Sequence, residues 1–237
     1  MSKTLLSFAC DTHSQNGEDG IIAEMLRRLS ISSGWFVEFG AWDGKNMSNT
    51  RLLAEQGWSG VFIEGSADKF TELQKNVKDL RGSIHCLNAW VAVSGPESLD
   101  NLLKKTPLPS NFEILSVDID SHDYFVWQSL ANYSPAIVII EINSSFPAHV
   151  LRTHRDGALR TGSSFRSTLE LGRKKGYTLV CHTGNMIFVK NELIPKLNLP
   201  EDELKNPASL FVDTWTKKWI RELPYYFVKW VKGKIKG

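Results

Sequence analysis

Two short segments constrain the fold of this chain more than any other feature. Each contains an apolar run that leads to an acidic residue. The first, Phe36 to Gly44, reads FVEFGAWDG, and the second, Val61 to Gly65, reads VFIEG. Glycine has no Cβ, so it lets the backbone turn tightly and come close to a ligand. An acid at the end of the next strand can accept both hydroxyls of a ribose, as in dinucleotide-binding folds. The two segments therefore predict an α/β domain that binds a nucleoside.

The spacing of the glycines indicates which nucleoside. The pattern Glu38-x-Gly40-x-x-x-Gly44 differs from G-x-G-x-x-G, so the fingerprint that cradles a pyrophosphate is missing. An acid ahead of the glycines suits a ligand whose amino acid end carries an ammonium and a sulfonium. We therefore expect S-adenosylmethionine (SAM) rather than NAD.

Strand-like runs alternate with helix-like periods along most of the chain. Predicted strands cover 35–39, 60–64, part of 83–94, 113–118, 136–142, 177–181 and 185–190, and predicted helices cover 18–29, 50–56, 67–78, 99–103, 124–130 and 164–175. Alternation of this kind implies right-handed crossovers and a mostly parallel sheet with helices on both faces. The last two strands lie close enough to form an antiparallel hairpin. The expected fold is a Rossmann-like α/β fold with a mostly parallel seven-stranded sheet and an antiparallel C-terminal hairpin.

Length and composition suit a globular domain with an appendage. The chain has 237 residues, of which 42% are hydrophobic and 23% charged. We expect one domain over residues 1–195, followed by a linker and a basic aromatic tail over residues 196–237; the segment 191–207, with three prolines, reads as the linker. Cys10, Cys86 and Cys181 have no metal-ligand spacing, which favours reduced thiols and a cytoplasmic location.

Charge is distributed unevenly. Seven basic residues and two acids from 213 to 237 give that segment +5 and leave the remainder at −3, within a net charge of +2. An acidic body argues against a nucleic-acid partner. The aromatic and basic residues of the tail suit a helix at an anionic membrane surface, on the inner face of the membrane. Packing of the tail on the domain or on a partner subunit in a homo-oligomer is the open alternative.

Ligands of open α/β sheets lie beyond the carboxyl ends of the strands, so residues at those ends are the candidate site. Glu38, Gly40 and Gly44 are expected to shape the methionine and sulfonium side, and Glu64 to hold the ribose. The full set of candidate cofactor-binding residues is Glu38, Gly40, Asp43, Gly44, Glu64, Asn88 and Asp118.

The segment SVDIDSHDYFVW, residues 116–127, carries the candidate catalytic residues Asp118, Asp120 and His122. The two aspartates lie two apart at a strand end, so they project from the same side. They suit either a divalent ion, Mg²⁺ or Mn²⁺, with Glu141 and Asn143 completing the shell together with Asp118, or removal of a proton from an acceptor hydroxyl. His122 is either a substitute base or a bystander.

Several motifs together resemble the FkbM-like SAM-dependent methyltransferases. They are SQNGEDGI, FVEFGAWDGKNMSNT, GVFIEG, LSVDIDSHDYFVW, VIIEINSSFP and SSFRSTLELGRKKGYTLV, which follow in that order over about residues 14–190. The resemblance implies a class I Rossmann-like fold and methyl transfer, usually to oxygen on a sugar, a polyketide or another small molecule. It also implies that Glu38, Gly40 and Gly44 form the SAM loop and that Glu64 is the ribose acid.

The chain departs from the family pattern at two places. Glu141-Ile142-Asn143 lacks the consecutive acid pair that completes the ion site in the related macrocin-type enzymes, and Ser121-His122 stands where a Gly-Asn pair would be family-like. The first departure puts the metal in question, and the second affects substrate or activity. For the motif with Gln15, Glu18 and Asp19, the sequence supports helix capping or a lid over the cofactor.

A loop of about twenty residues, 144–162, has the length of a binding loop. His149, Arg152 and Arg155 are its candidate acceptor-binding residues, because arginine suits a carboxylated or phosphorylated acceptor. A solvated loop is the alternative. The predicted function is SAM-dependent methylation of a hydroxyl on a saccharide or similar small molecule; a non-catalytic module with the SAM fold is the alternative.

Overall fold

Seven strands form one sheet in the computed structural model, which describes residues 3–119, 121–155 and 161–213. The strands are β1 (Trp35–Phe39), β2 (Ser59–Glu64), β3 (Ile84–Asn88), β4 (Ile114–Val117), β5 (Ile137–Glu141), β6 (Tyr177–His182) and β7 (Asn185–Lys190). Their order across the sheet is β3-β2-β1-β4-β5-β7-β6. Each pair from β3 to β5 is parallel, whereas β7 is antiparallel to both β5 and β6. The predicted Rossmann-like α/β fold is confirmed.

Helices precede, connect and follow the strands. They are α1 (Glu18–Leu29), α2 (Arg51–Glu55), α3 (Ala67–Asn76), α4 (Leu99–Leu103), α5 (Asp123–Ser129), α6 (Phe165–Lys174), α7 (Ile194–Leu197) and α8 (Glu201–Lys205). Short 3₁₀ helices cover Leu5–Phe8, Asn191–Leu193 and Pro207–Leu210. Each predicted helix is present, although α2, α3, α5 and α6 end one or two residues earlier than the sequence pattern indicated.

Alternating side chains of the strands build two cores, one on each face of the sheet. Val37 and Phe39 of β1 pack in the core that contains α4, α5 and α6, whereas Phe36 packs in the core that contains α1, α2 and Leu73 of α3. Side chains of a strand alternate between the two faces, so each strand serves both cores. Ile137 through Ile140 of β5 are all 0% exposed, as expected of a central strand covered on both sides.

The expected linker over residues 191–207 is wrong for the described part of the chain. Helices α7 and α8 and two 3₁₀ helices occupy this segment, and Leu197 is fully buried in the second core. The three prolines begin helices: Pro195 lies in the first turn of α7, Pro200 is the N-cap of α8, and Pro207 starts a 3₁₀ helix. Proline is tolerated there because the first turn needs no backbone N–H donor. The expected domain boundary at residue 195 falls inside α7.

His182, at the end of β6, holds the last described segment against the hairpin. Its Nδ1 accepts a hydrogen bond from the Val212 amide at 2.8 Å, and its ring stacks on Phe211 with centroids 5.6 Å apart. Nε2 is buried without a hydrogen-bond partner in the part of the chain that the structure describes. Burial lowers the pKa of His182 to about 4. The fold therefore holds this imidazole neutral.

Residues 214–237, which contain the basic aromatic tail, lie outside the described residues, so the membrane and subunit alternatives for it stay predictions. Among the described helices, none has both the length and the apolar character that a bilayer span requires.

His182 predicts an acid-sensitive stability. Between its ordinary pKa of 6.5 and its folded pKa of about 4, the unfolded chain binds a proton that the native protein does not. Stability should therefore fall as the pH drops through this window, by at most about 3 kcal/mol, since one pKa unit corresponds to about 1.4 kcal/mol. Denaturant unfolding at several pH values should show a flatter dependence for His182→Gln. The matched change at exposed His149, His149→Gln, should keep the wild-type slope, and equal slopes in all three proteins would contradict this account.

Candidate functional site

A cavity of about 590 Å³ lies at the edge of the sheet where the parallel strands end. Strands β1, β2, β4 and β5 run in the same direction, so the residues after each strand gather there. The described residues that line it are Gln15, Asn16, Glu38, Gly40, Ala41, Trp42, Asn46, Met47, Ser48, Ile63, Glu64, Gly65, Ser66, Ala89, Trp90, Val91, Asp118, Ile119, Glu141, Gly184 and Asn185. Four of them are carboxylates, and none of these described residues is Lys or Arg.

Glu64, at the end of β2, has its carboxylate fixed by backbone amides. Oε2 accepts a hydrogen bond from the Trp42 amide at 2.8 Å, and Oε1 accepts one from the Ser66 amide at 2.7 Å. The side chain is only 6% exposed. A carboxylate has about four lone-pair sites, so each oxygen keeps acceptor capacity for a ligand hydroxyl. The structure thus places the predicted ribose acid in the cavity wall, already oriented.

Glu38 of β1 holds the loop after this strand in place through hydrogen bonds. Its carboxylate accepts hydrogen bonds from Ser48 Oγ and Thr50 Oγ1, both at 2.6 Å, and from the Asn49 amide at 2.9 Å. Burial raises the pKa of Glu38, and hydrogen bonds from Ser48 and Thr50 oppose that shift. The carboxylate lines the cavity, but its donors are those of the chain itself. Its geometry is therefore that of a loop anchor.

The two predicted loop glycines face different neighbours. Gly40 has φ +74°, and a Cβ there would clash with the carbonyl oxygen of Asp118, so the turn requires glycine. Gly44 has φ +68°, and its Cβ would clash with the Leu73 side chain of α3. Gly40 lines the cavity, whereas Gly44 packs on a helix.

Asp43 and Asn88 shape the loops around the cavity without lining it. Asp43 Oδ1 accepts hydrogen bonds from the amides of Lys45 and Asn46. Burial alone would raise the pKa of Asp43, but these hydrogen bonds outweigh it and lower the pKa below its usual value. Asn88 Nδ2 donates to the carbonyl of Glu64 at 2.8 Å. Both residues were predicted to bind the cofactor, and the side chains of both hydrogen-bond to backbone groups of the loops.

Three exposed apolar side chains form a rim around the cavity that the sequence patterns did not single out. Trp42, Met47 and Trp90 are 47%, 52% and 74% exposed. Trp42 and Met47 have φ of +51° and +60°, which is uncommon for such side chains. Trp90 packs against Gly65, where a Cβ would clash with the indole ring. Trp90 lies two residues after the end of β3, and this position is the sequence signal that could have identified it.

The candidate metal residues do not assemble into a metal site among the described residues. Asp118 and Glu141 line the cavity, but Asn143 does not. Asn143 Oδ1 accepts from the amide and hydroxyl of Ser145, and Nδ2 donates to the Thr161 carbonyl at 2.8 Å. Within the ranges that the structure describes, no group of three or more His, Cys, Asp or Glu could hold an ion. Asp120 lies outside the described residues.

His122 and the loop residues lie beside the cavity rather than in its wall. His122 contacts the ring of His154, with centroids 4.6 Å apart. Arg152 lies over the Phe146 ring at 4.8 Å, the carbonyl of His149 accepts from Arg166, and Arg155 is exposed. None of the three predicted acceptor residues of this loop is part of the described cavity lining. Residues 156–160 of the loop lie outside the described residues.

The N-terminal motif, whose role the sequence left open, reaches the other end of the cavity. Glu18, at the start of α1, is 0% exposed, and its Oε1 accepts hydrogen bonds from Thr183 Oγ1 at 2.5 Å and Asn185 Nδ2 at 3.0 Å. Its Oε2 accepts one from the Asn16 amide at 2.9 Å. Glu18 thus ties the motif to the β6–β7 hairpin. Gln15 and Asn16 line the cavity as a result.

Comparisons with known proteins give structural neighbours only. No protein-family model matches the chain, and no curated protein sequence matches it. Neighbouring structures include an S-adenosylmethionine-dependent methyltransferase from Clostridium acetobutylicum (TM-score 0.45, 9% identity, 73% of this chain and 90% of that chain). Others are a TehB-like SAM-dependent methyltransferase from Corynebacterium glutamicum (0.42, 10%, 70% and 87%) and a SAM-dependent methyltransferase from Aquifex aeolicus (0.41, 12%, 70% and 85%). At these scores no residue role is carried over to this chain.

The close approach at Gly40 predicts a large loss of stability for Gly40→Ala. The substitution adds a positive-φ penalty of about 1 kcal/mol and a clash with the Asp118 carbonyl. Gly57 is the matched control: its φ is also positive (+91°), but a Cβ there would have no described atom within 4 Å beyond its chain neighbours. Denaturant midpoints should therefore fall further for Gly40→Ala than for Gly57→Ala. Equal shifts would show that the close approach to Asp118 is unimportant.

Proposed function

We propose that this protein is a SAM-dependent methyltransferase of the FkbM-like kind, which methylates a hydroxyl of a saccharide or another small molecule. One observation carries the proposal: the preoriented Glu64 carboxylate stands in the wall of a cavity at the ends of the parallel strands, where it suits the two hydroxyls of a ribose. The loop after β1 lacks the G-x-G-x-x-G fingerprint that cradles a pyrophosphate, which favours SAM over a dinucleotide.

The strand order supports one placement of the cofactor. Glu64 of β2 would bind the ribose hydroxyls, and Trp90, which packs beside it on Gly65, would stack on the adenine. Adjacent strands are about 4.8 Å apart, so the methionine part would extend over the next strands, β1 and β4. Gly40 and Asp118 follow the ends of these strands, so in this placement the sulfonium would lie near Asp118.

Asp118 is our candidate for the group that accepts the acceptor proton. When bound, SAM supplies an electrophilic methyl group on sulfur, and transfer to a hydroxyl releases S-adenosylhomocysteine and a proton. The carboxylate of Asp118 would accept the proton that the acceptor hydroxyl loses as its oxygen bonds to the methyl carbon and the C–S bond breaks. Positioning of the hydroxyl in line with the C–S bond supplies much of the rate. Glu141, on the neighbouring strand, lies on the acceptor side.

The described residues around Asp118 and Glu141 do not by themselves form an ion site, and the proposal makes no claim about a metal. A non-catalytic module with the same fold is the second candidate. It differs in one respect: it would bind no SAM, or would bind SAM without transfer. A cytoplasmic location and a glycan or other small-molecule acceptor remain part of the proposal.

Trp90→Ala tests where the cofactor lies. Trp90 is 74% exposed, so its truncation should leave stability unchanged but weaken S-adenosylhomocysteine binding about fivefold or more, given about 1–3 kcal/mol for stacking of a base on an aromatic side chain. Isothermal titration calorimetry measures the dissociation constant. Leu151→Ala, which also truncates an exposed apolar residue, is the control and should bind as the wild type does. No heat with the wild type would reject the proposed function itself.

Asp118→Asn separates binding from catalysis. The substitution keeps the size of the side chain but removes the base, so S-adenosylhomocysteine should bind within about threefold of the wild type while methyl transfer falls by about 10²-fold or more. Release of S-adenosylhomocysteine in the presence of an acceptor that the wild type methylates gives the rate. Full activity of this variant would assign the proton to another group.

A further inference from the structure

We infer that the indole of Trp42 contacts the adenosyl group of the cofactor, in addition to the stacking position given to Trp90. The inference deepens the proposed function and rests on it, because it takes the ribose of the cofactor to lie at Glu64. It assigns a ligand contact to a side chain that no sequence pattern indicated.

The backbone of Trp42 has a conformation that the fold itself does not explain. Among the described residues, the non-glycine residues with positive φ are Ser30, Trp42, Met47 and Asn198. Ser30 and Asn198 are the C-caps of α1 and α7, where a residue of this conformation commonly ends a helix. Trp42 and Met47 end no helix, and both line the cavity. Strained backbone in a cavity wall supports a role in ligand binding.

Both of these side chains are also large, apolar and partly exposed. Trp42 is 47% exposed and Met47 is 52% exposed. Glycine adopts positive φ without strain, so the path of the loop does not require a large residue at either position. Exposed apolar side chains that line a cavity commonly belong to a ligand-binding surface, because a bound ligand buries them. Exposure and strain together therefore indicate that these two side chains serve a ligand.

A hydrogen bond places Trp42 beside the proposed position of the ribose. The Trp42 amide donates to Glu64 Oε2 at 2.8 Å, and the N–Cα bond adds about 1.5 Å, so Trp42 Cα lies within about 4.3 Å of this oxygen. A ribose whose hydroxyls bind the Glu64 carboxylate would therefore lie close to Trp42 as well. The adenosyl group is thus the part of SAM that the indole of Trp42 would reach.

Lys69 of α3 holds the indole in place before a ligand binds. Its Nζ lies over the Trp42 ring, 4.6 Å from the centroid, and donates a hydrogen bond to Glu72 Oε2 at 2.8 Å. An ammonium over the face of an indole is attracted to the ring. Lys69 thus contacts one face of the ring, and the 47% exposure of Trp42 leaves much of the residue accessible to a ligand. An indole that is already positioned loses less entropy on binding.

The chemistry of an adenosyl group matches a site with two indoles. Adenine is aromatic and stacks on aromatic side chains, and the carbon atoms of a ribose provide apolar surface. Trp42 and Trp90 are the tryptophans among the described lining residues. Trp42 is joined to Glu64 by its amide, and Trp90 packs on Gly65, the residue after Glu64. The ribose acid therefore has two indoles beside it, one on the loop after β1 and one on the loop after β3.

Trp42→Gly tests the inference on the full chain, because it removes the indole and keeps the backbone amide that binds Glu64. Isothermal titration calorimetry should show S-adenosylhomocysteine binding weakened about fivefold or more. 5′-Methylthioadenosine, which has the adenosyl group without the amino acid end, should lose affinity by the same factor. Trp42→Phe keeps an aromatic ring and should recover most of the loss. Ser30→Gly, which also has positive φ but lies outside the described cavity lining, is the matched control and should bind both ligands as the wild type does.

Tryptophan fluorescence gives a second measurement that does not depend on the glycine variant. Saturation of the wild type with S-adenosylhomocysteine should change the emission, because the ligand covers indoles that are exposed without it. The change should be smaller in Trp42→Phe, which lacks one of the two contacting indoles.

The outcomes separate the inference from the proposed function. Unchanged affinity of Trp42→Gly for S-adenosylhomocysteine, an equal loss in Ser30→Gly, or a loss that is absent with 5′-methylthioadenosine would overturn the inference. An emission change as large in Trp42→Phe as in the wild type would also overturn it. Absence of S-adenosylhomocysteine binding to the wild type would instead overturn the proposed function.

Discussion

Two backbone amides that bind the Glu64 carboxylate set the geometry of the site. Trp42 donates from the loop after β1 and Ser66 from the loop after β2, so one side chain joins two strand ends. The carboxylate keeps unused lone pairs, and Glu64 lines the cavity. A ligand with two adjacent hydroxyls would therefore meet an acceptor that is already oriented, which reduces the entropy lost on binding. Trp42 donates this hydrogen bond from a backbone with positive φ. A residue with a bulky side chain adopts that conformation only at a cost in free energy.

The main role of the buried acids at the site is to hold neighbouring segments of the chain in place. Glu38 holds the loop after β1 through three donors, and Glu18 holds the N-terminal motif against the β6–β7 hairpin. In both cases neutral donors of the chain satisfy the carboxylate, as buried polar groups require. Glu18 and Glu38 thus hold segments of the cavity wall in place, and the described acids that line the cavity are Glu38, Glu64, Asp118 and Glu141.

The sequence predicted the fold well because central parallel strands are apolar on both faces, as β5 shows. The sequence-based prediction failed at residues 191–207, because three prolines are as compatible with a linker as with the first turns of short helices. In the site, spacing predicted Glu64 and Gly40, and the structure places both in the cavity wall. Spacing gives no information on the direction of a side chain: Asp43 and Asn88, predicted in the same way, hydrogen-bond to loop backbone, and Gly44 packs on a helix. The hydrogen bond between Asn185 and Glu18 joins residues that are 167 positions apart, so no local sequence pattern predicts it.

The central claim is that Glu64 receives the ribose of an adenosyl cofactor, and a crystal structure of the protein with S-adenosylhomocysteine and Mg²⁺ or Mn²⁺ tests it most directly. The account predicts both ribose hydroxyls within hydrogen-bond distance of the Glu64 carboxylate and the homocysteine part directed over β1 and β4. An adenosyl group elsewhere on the protein, or bound with its ribose away from Glu64, would contradict the account.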